Sequence, residues 1–110
     1  MIMHYAIPFF CGMLLCNCIP HVACGLQGKP FPTPFAKPHG VGLSSPLLNF
    51  VWGFANFAIG FVLLARHPFA LASGEDVASF LIGAFLIGVF LARHFGVVQA
   101  SRKGGGARDT

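Results

Sequence analysis

Apolar positions along the chain gather into three long runs, residues 3–26, 46–66 and 76–98, separated by a proline-rich stretch at 27–45 and by a short turn. Each run is about as long as the ~20 residues a helix needs to cross a bilayer, and none has an acidic residue at its centre. The pattern predicts an all-α fold, an integral membrane bundle of three transmembrane helices forming a single domain. The first run also competes with a signal peptide, because Val22-Ala-Cys-Gly25 resembles a lipoprotein cleavage site. The opening residues MIMHYAIP lack the Lys or Arg of a signal's leading region, however, and His21 stands where an aliphatic residue is usual, so an uncleaved span is expected.

Polar punctuation marks the ends of the second and third helices. Ser45 before Pro46 pairs an N-cap acceptor with a residue whose missing N–H costs nothing in the first turn. Ser73 and Asp76 stand three apart as in a capping box, and Glu75 with Asp76 puts negative charge at the positive end of the third helix dipole. That helix is expected to start near Gly74, and Pro68 to stop the second one. In the first run Pro20 removes the hydrogen bond to the Cys16 carbonyl, which predicts a kink or an early end.

Within the runs, spacing defines faces. Asn49, Trp52, Gly53, Asn56 and Gly60 recur at i, i+3, i+4, i+7 and i+11, forming a polar stripe edged by small residues. Ala84, Gly88, Ala92 and Gly96 recur every four residues, a spacing that lets helix backbones approach where lipid supplies no hydrophobic drive. The two stripes are expected to face each other or a second copy, with Asn49 and Asn56 bonding between helices; a substrate or ion path along the Asn stripe is the alternative. On the first run Asn17, His21 and Cys24 share a face. Cys11 and Cys18 share another, and all four cysteines lie on this one segment. Cys16 and Cys18 point about 200° apart on a helix, so they cannot grip one metal, and packing is the expected role of the thiols.

Composition agrees with a membrane solvent: 55% of residues are hydrophobic, 9% are charged, and mean hydropathy is +0.75. Charge then adds orientation. Lys29, Lys37, Arg93, Arg102, Lys103 and Arg108 fall on one side of a three-span topology and only Arg66 on the other. The positive-inside tendency predicts an outside N-terminus and a cytoplasmic C-terminus. The net charge of +4 is mostly juxtamembrane, and no basic stripe interleaved with aromatics calls for nucleic acid. The two nearly matching endings IGFVLLARH and IGVFLARH, at Ile59–His67 and Ile87–His94, are too short to define a repeat.

Histidines supply the remaining chemistry. His4 and His67 fall near one membrane face, and His21 and His94 near the other, so either pair could supply axial ligands to a b-type haem. Against this, His67 and His94 each follow Ala-Arg at a helix end, where a cationic side chain complements the dipole and reaches the headgroups. No cofactor or metal is therefore expected. The stretch GLQGKPFPTPFAKPHGVGLSS is too rich in proline for a helix and predicts an extended path, with Phe31 and Phe35 at the interface as docking or lipid-contact residues. The tail SRKGGGARDT, residues 101–110, is expected to be disordered.

The Pro-His end of the first run, GKPFPTPFAKP and GLSSP together resemble small bacterial inner-membrane proteins without an assigned activity. The resemblance implies an inner-membrane location and no particular chemistry. The sequence thus predicts a small non-enzymatic membrane subunit that acts through helix packing, with the bilayer and either itself or another membrane protein as partners. A small transporter or channel formed by oligomerisation is the second expectation, and a haem or metal redox protein the third.

Overall fold

The computed structural model describes residues 2–67 and 71–109. It is all-helical apart from one short two-stranded ladder: α1 (Ile2–Leu26), β1 (Phe31–Pro32), β2 (Leu43–Ser44), α2 (Pro46–Arg66) and α3 (Gly74–Asp109). All three helices are long and apolar enough to cross a membrane. At 1.5 Å per residue the 21 residues of α2 extend about 31 Å, close to the thickness of a hydrocarbon core.

The caps form as their residues dictate. The Ser45 Oγ accepts the Leu48 N–H at 3.1 Å, and Pro46 opens α2. At α3, the Asp76 N–H donates to Ser73 Oγ at 3.1 Å while the Ser73 hydroxyl donates to Asp76 Oδ2 at 2.9 Å. The Ser73 N–H also reaches Asp76 Oδ2, at 3.3 Å, and the carboxylate is almost wholly buried, at 1% exposure. We expect Ser73→Ala to cost about 1 kcal/mol, the usual value of a lost N-cap, read as a lower thermal midpoint in detergent. An unchanged midpoint would show that α3 starts without this box. Pro68, expected to end α2, lies outside the described residues; α2 itself ends at Arg66, with the His67 N–H bonded to the carbonyls of Leu63 and Leu64.

Two points about helix ends follow. First, of the kink or early end expected at Pro20, the early end does not occur: α1 passes through the proline and runs to Leu26. Proline deletes one ladder bond, and giving up the ladder on both sides would expose far more backbone to an apolar medium. Second, α3 continues through Asp109, across the segment expected to be disordered. Elongating a formed helix fixes one residue per bond gained, so the glycines 104–106 weaken the helix without breaking it. Arg102 also ties this part of α3 to the loop through the Val41 carbonyl.

Helix packing is organised on α1. Both α2 and α3 run along it, and they scarcely touch each other. The two stripes therefore do not face each other: the α2 stripe faces α1, and of the α3 stripe only Ala84 and Gly88 do. Gly53 sits so close to α1 that a Cβ there would lie 2.8 Å from the Val22 nitrogen, and one at Gly60 would lie 3.0 Å from Leu15. On α3 the tightest approach is at Gly83, one residue before the stripe read from the sequence; a Cβ there would collide with the Phe9 carbonyl, and one at Gly12 with the Phe80 carbonyl. Gly88 meets only Cys16 Sγ, at 3.6 Å, while Ala92 and Gly96 are exposed and Gly96 has open space beside it. Spacing of four identifies small residues but cannot choose between adjacent ones when the flanking positions are equally apolar.

At the N-terminal ends of α1 and α3, the Tyr5 hydroxyl donates to Glu75 at 2.7 Å and the Ser79 hydroxyl to the Tyr5 carbonyl at 2.7 Å. His4 Nε2 lies 2.8 Å from Asp76 Oδ1, outside hydrogen-bond geometry. These contacts fix α1 and α3 as parallel, with α2 antiparallel between them in sequence.

A capped histidine cavity as candidate functional site

The proline-rich loop folds back into the bundle. β1 and β2 pair antiparallel, Phe31 opposite Ser44 and Pro32 opposite Leu43. Thr33 Oγ1 lies 2.6 Å from Ser44 Oγ and accepts the Phe35 N–H at 3.2 Å, so the buried hydroxyls satisfy the turn from inside. Phe31 is buried, its ring 4.6 Å from Phe95 and 5.6 Å from His21, centroid to centroid. The expected interfacial role of Phe31 is corrected accordingly: the strand register turns it inward, leaving Phe35 exposed at 57% and edge-on to Trp52, 5.1 Å between ring centroids.

Asn49 is the hub that holds this cap. It is fully buried, and its Nδ2 lies 2.8 Å from the Phe31 carbonyl, 3.1 Å from Ser45 O and 3.2 Å from Ser44 O. Those three neighbours only accept, so the amide nitrogen must face them and Oδ1 must face His21. The His21 Nδ1, 2.8 Å from Asn49 Oδ1, then carries the proton and donates. Nε2 of the neutral ring is left as a bare acceptor, with no partner among the described residues. Seven residues along, the Asn17 amide donates to Asn56 Oδ1 at 3.0 Å, and the Asn56 amide donates to the Trp52 carbonyl at 2.9 Å. The two asparagines of α2 thus bond to α1 within one bundle.

His94 and His39 repeat the logic of His21. The His94 Nε2–H donates to the Gly40 carbonyl at 2.7 Å, and the His39 Nδ1–H donates to the Pro34 carbonyl at 2.7 Å. A carbonyl accepts only, so in each ring the nitrogen facing it carries a proton, and the other ring nitrogen has no partner among the described residues. Gly40 reaches His94 in the left-handed region, φ +70°, where a side chain would be both strained and within 3.3 Å of the imidazole.

Between α2 and α3, floored by α1 and roofed by the loop, these groups surround a cavity of about 370 Å³. His21, His39, His94 and Asn17 supply its polar atoms, and Trp52, Phe90 and Phe95 supply aromatic walls. A second cavity of about 330 Å³, bordered also by Met13, Leu14 and Asn56, shares Asn17 and Ile87 with the first. The two adjoin at these residues as a groove with a histidine-lined head and a more apolar extension.

The candidate residues named from sequence divide accordingly. Asn17, His21, Trp52 and Asn56 border this groove, with Asn49 bonded to His21 behind it, whereas the Cys24 thiol forms none of these hydrogen bonds. Cys11 is buried, and the equally buried Cys18 donates its S–H to Leu15 O at 2.9 Å. His4 and His67 do not form a pair: His4 contacts Asp76, and the His67 ring bonds the Leu63 carbonyl of its own helix. His21 and His94 do line one cavity, but Phe95 packs edge-on to both, 6.3 and 5.1 Å between centroids. No set of three histidine, cysteine or acidic side chains among the described residues could hold a metal ion. Sequence reasoning missed the roles of His39, Thr33 and Phe95, which depend on the loop folding inward. No known family model matches the chain, and no curated protein or solved structure matches it either.

Proposed function

We propose that the chain is a small integral protein of the bacterial inner membrane, N-terminus outside and C-terminus cytoplasmic, whose helix packing builds a binding site for a small amphiphile. The observation that carries this reading is the capped groove, with His21 only 2% exposed yet bordering a cavity with an unpaired ring nitrogen. Its volume lies in the range of small-molecule sites, and its mix of aromatic walls with a few convergent polar atoms is what such sites use. The large apolar side chains exposed along all three helices, among them Phe54, Phe61, Phe85 and Phe90, are suited to lipid. A lateral partner, a second copy or another membrane protein, has the exposed Ala92 and Gly96 strip of α3 available. The transport reading receives less support, because Asn49 and Asn56 face α1 within a single bundle rather than lining a continuous polar path.

Native mass spectrometry of the protein, released from mild detergent after purification from its own membrane, tests the site. We expect a stoichiometric small-molecule adduct that is lost in Ile87→Phe, since Ile87 borders both halves of the groove. An adduct indifferent to Ile87→Phe, or none at all, would overturn the reading.

A further inference from the structure

We infer that the occupant of the groove is a lipid-anchored aromatic diol, the hydroquinone headgroup of a membrane quinol, with its hydroxyls at the histidines and its tail in the extension. The inference rests on the binding-site reading above and names its ligand class from the donor and acceptor pattern of the walls.

That pattern is weighted towards acceptors, with the Trp52 indole N–H as an unpaired donor among the described residues. Hydrogen bonds already present hold the ring protons of His21 and His94 on Asn49 Oδ1 and on the Gly40 carbonyl. They leave His21 Nε2 and His94 Nδ1 as lone pairs. The Asn17 amide donates to Asn56, so its Oδ1 is a third unpaired acceptor. A phosphate or carboxylate headgroup only accepts, and would set its oxygens against these lone pairs. A quinone carbonyl, which only accepts, could use the Trp52 indole N–H but would leave the histidine and asparagine acceptors unmet. A hydroxyl donates, and its own lone pairs can take the indole N–H of Trp52, which has no partner among the described residues. Two hydroxyls on a flat ring suit acceptors on α1 and α3 separated by aromatic walls; an aliphatic alcohol would use one acceptor and leave the ring faces of Trp52, Phe90 and Phe95 unmatched.

Room for the tail is the second, independent observation. The extension past Met13, Leu14 and Asn56 begins where the histidine-lined head ends, at Asn17 and Ile87. A prenyl or alkyl chain attached to the head can lie along this second cavity. Binding is the whole of the claim, and no electron transfer is assigned to the protein.

Trp52 is the only tryptophan in the chain, so its fluorescence reports on the cavity directly. Purified full-length protein in detergent would be titrated anaerobically with decylhydroquinone, with the matching decylbenzoquinone, and with the dimethyl ether of the diol, which cannot donate. Saturable quenching should favour the diol over its ether by on the order of tenfold, the effect of one or two hydrogen bonds. Ile87→Phe should abolish saturable binding while leaving every polar contact of the cap intact. His21→Phe should remove the preference for the diol; should that variant fail to fold, Ile87→Phe and the ether still decide. Equal binding of diol and ether would overturn the quinol assignment while the groove remains a site. Saturable binding of none of the three, with no adduct in native mass spectrometry, would remove the site itself.

Discussion

Asn49→Leu should collapse the loop end of the bundle, with a loss on the order of 4 kcal/mol. Leucine keeps the branching of the side chain, although it is larger, but leaves the His21 N–H and the Phe31 carbonyl without partners in a buried place, each a penalty of about 1–3 kcal/mol. The cap then loses its attachment to α2. Unfolding in detergent followed by Trp52 fluorescence should show the change, since the indole sits beside both His21 and Phe35. Asn56→Leu provides the contrast: it breaks a single, only part-buried interhelical bond, and such bonds average about 0.6 kcal/mol in membrane bundles. Asn49→Asp should be no milder than leucine, because it sets a carboxylate oxygen against carbonyls that Nδ2 now serves. Equal midpoints for Asn49→Leu and Asn56→Leu would mean that the cap is held by something other than this hub.

The second large effect belongs to the α1–α3 seam. At Gly12 and Gly83 each helix offers bare backbone to a carbonyl of the other, Phe80 and Phe9 respectively. Even one methyl group at either position must push the helices apart, and the obstacle is backbone, which cannot rotate out of the way. Gly83→Val should therefore destabilise by about 3 kcal/mol or more, in the range of severe overpacking. Separation of the helices would also release the Tyr5–Glu75 and Ser79–Tyr5 bonds near the end of the seam. Gly96→Val, on the same helix but beside open space, should stay within about 0.5 kcal/mol. Chemical cross-linking between a cysteine at Ala6 and one at Ser79, in a background without the native thiols, gives the structural readout: efficient in the parent, lost in Gly83→Val. If both valine variants cross-link and melt like the parent, the seam is looser than described.

What sequence alone could deliver depended on how local each signal was. The caps of α2 and α3 were legible because Ser45 and the Ser73–Asp76 box act within one turn. Asn49 and Asn56 stood out for a related reason, being polar residues seven apart in an otherwise apolar helix. The seam was not legible, since Gly83 and Ala84 are neighbours of similar size and lipid-facing positions are as apolar as helix-facing ones. Nor could spacing reveal that α1 lies at the centre: its prolines, cysteines and glycines show no dominant face, and only the third dimension distinguishes Gly12 from Gly25. The loop was the largest gap. Phe31 and Phe35 look alike in a proline-rich segment, and the pairing of Phe31 with Ser44, two distant residues, decides which one is buried.

The roof of the cavity is fastened to every helix: to α1 through the Phe31–His21 contact, to α2 through Asn49, and to α3 through His94 and Arg102. Chain order makes α3 the last of these to leave the ribosome. The loop, although synthesised before α2, cannot close until the third helix has entered the membrane and turned its His94 edge inward. Closure of the loop is thus a late step of biogenesis that reports on the completion of the whole bundle, and a chain halted after α2 would keep its proline-rich segment open to protease.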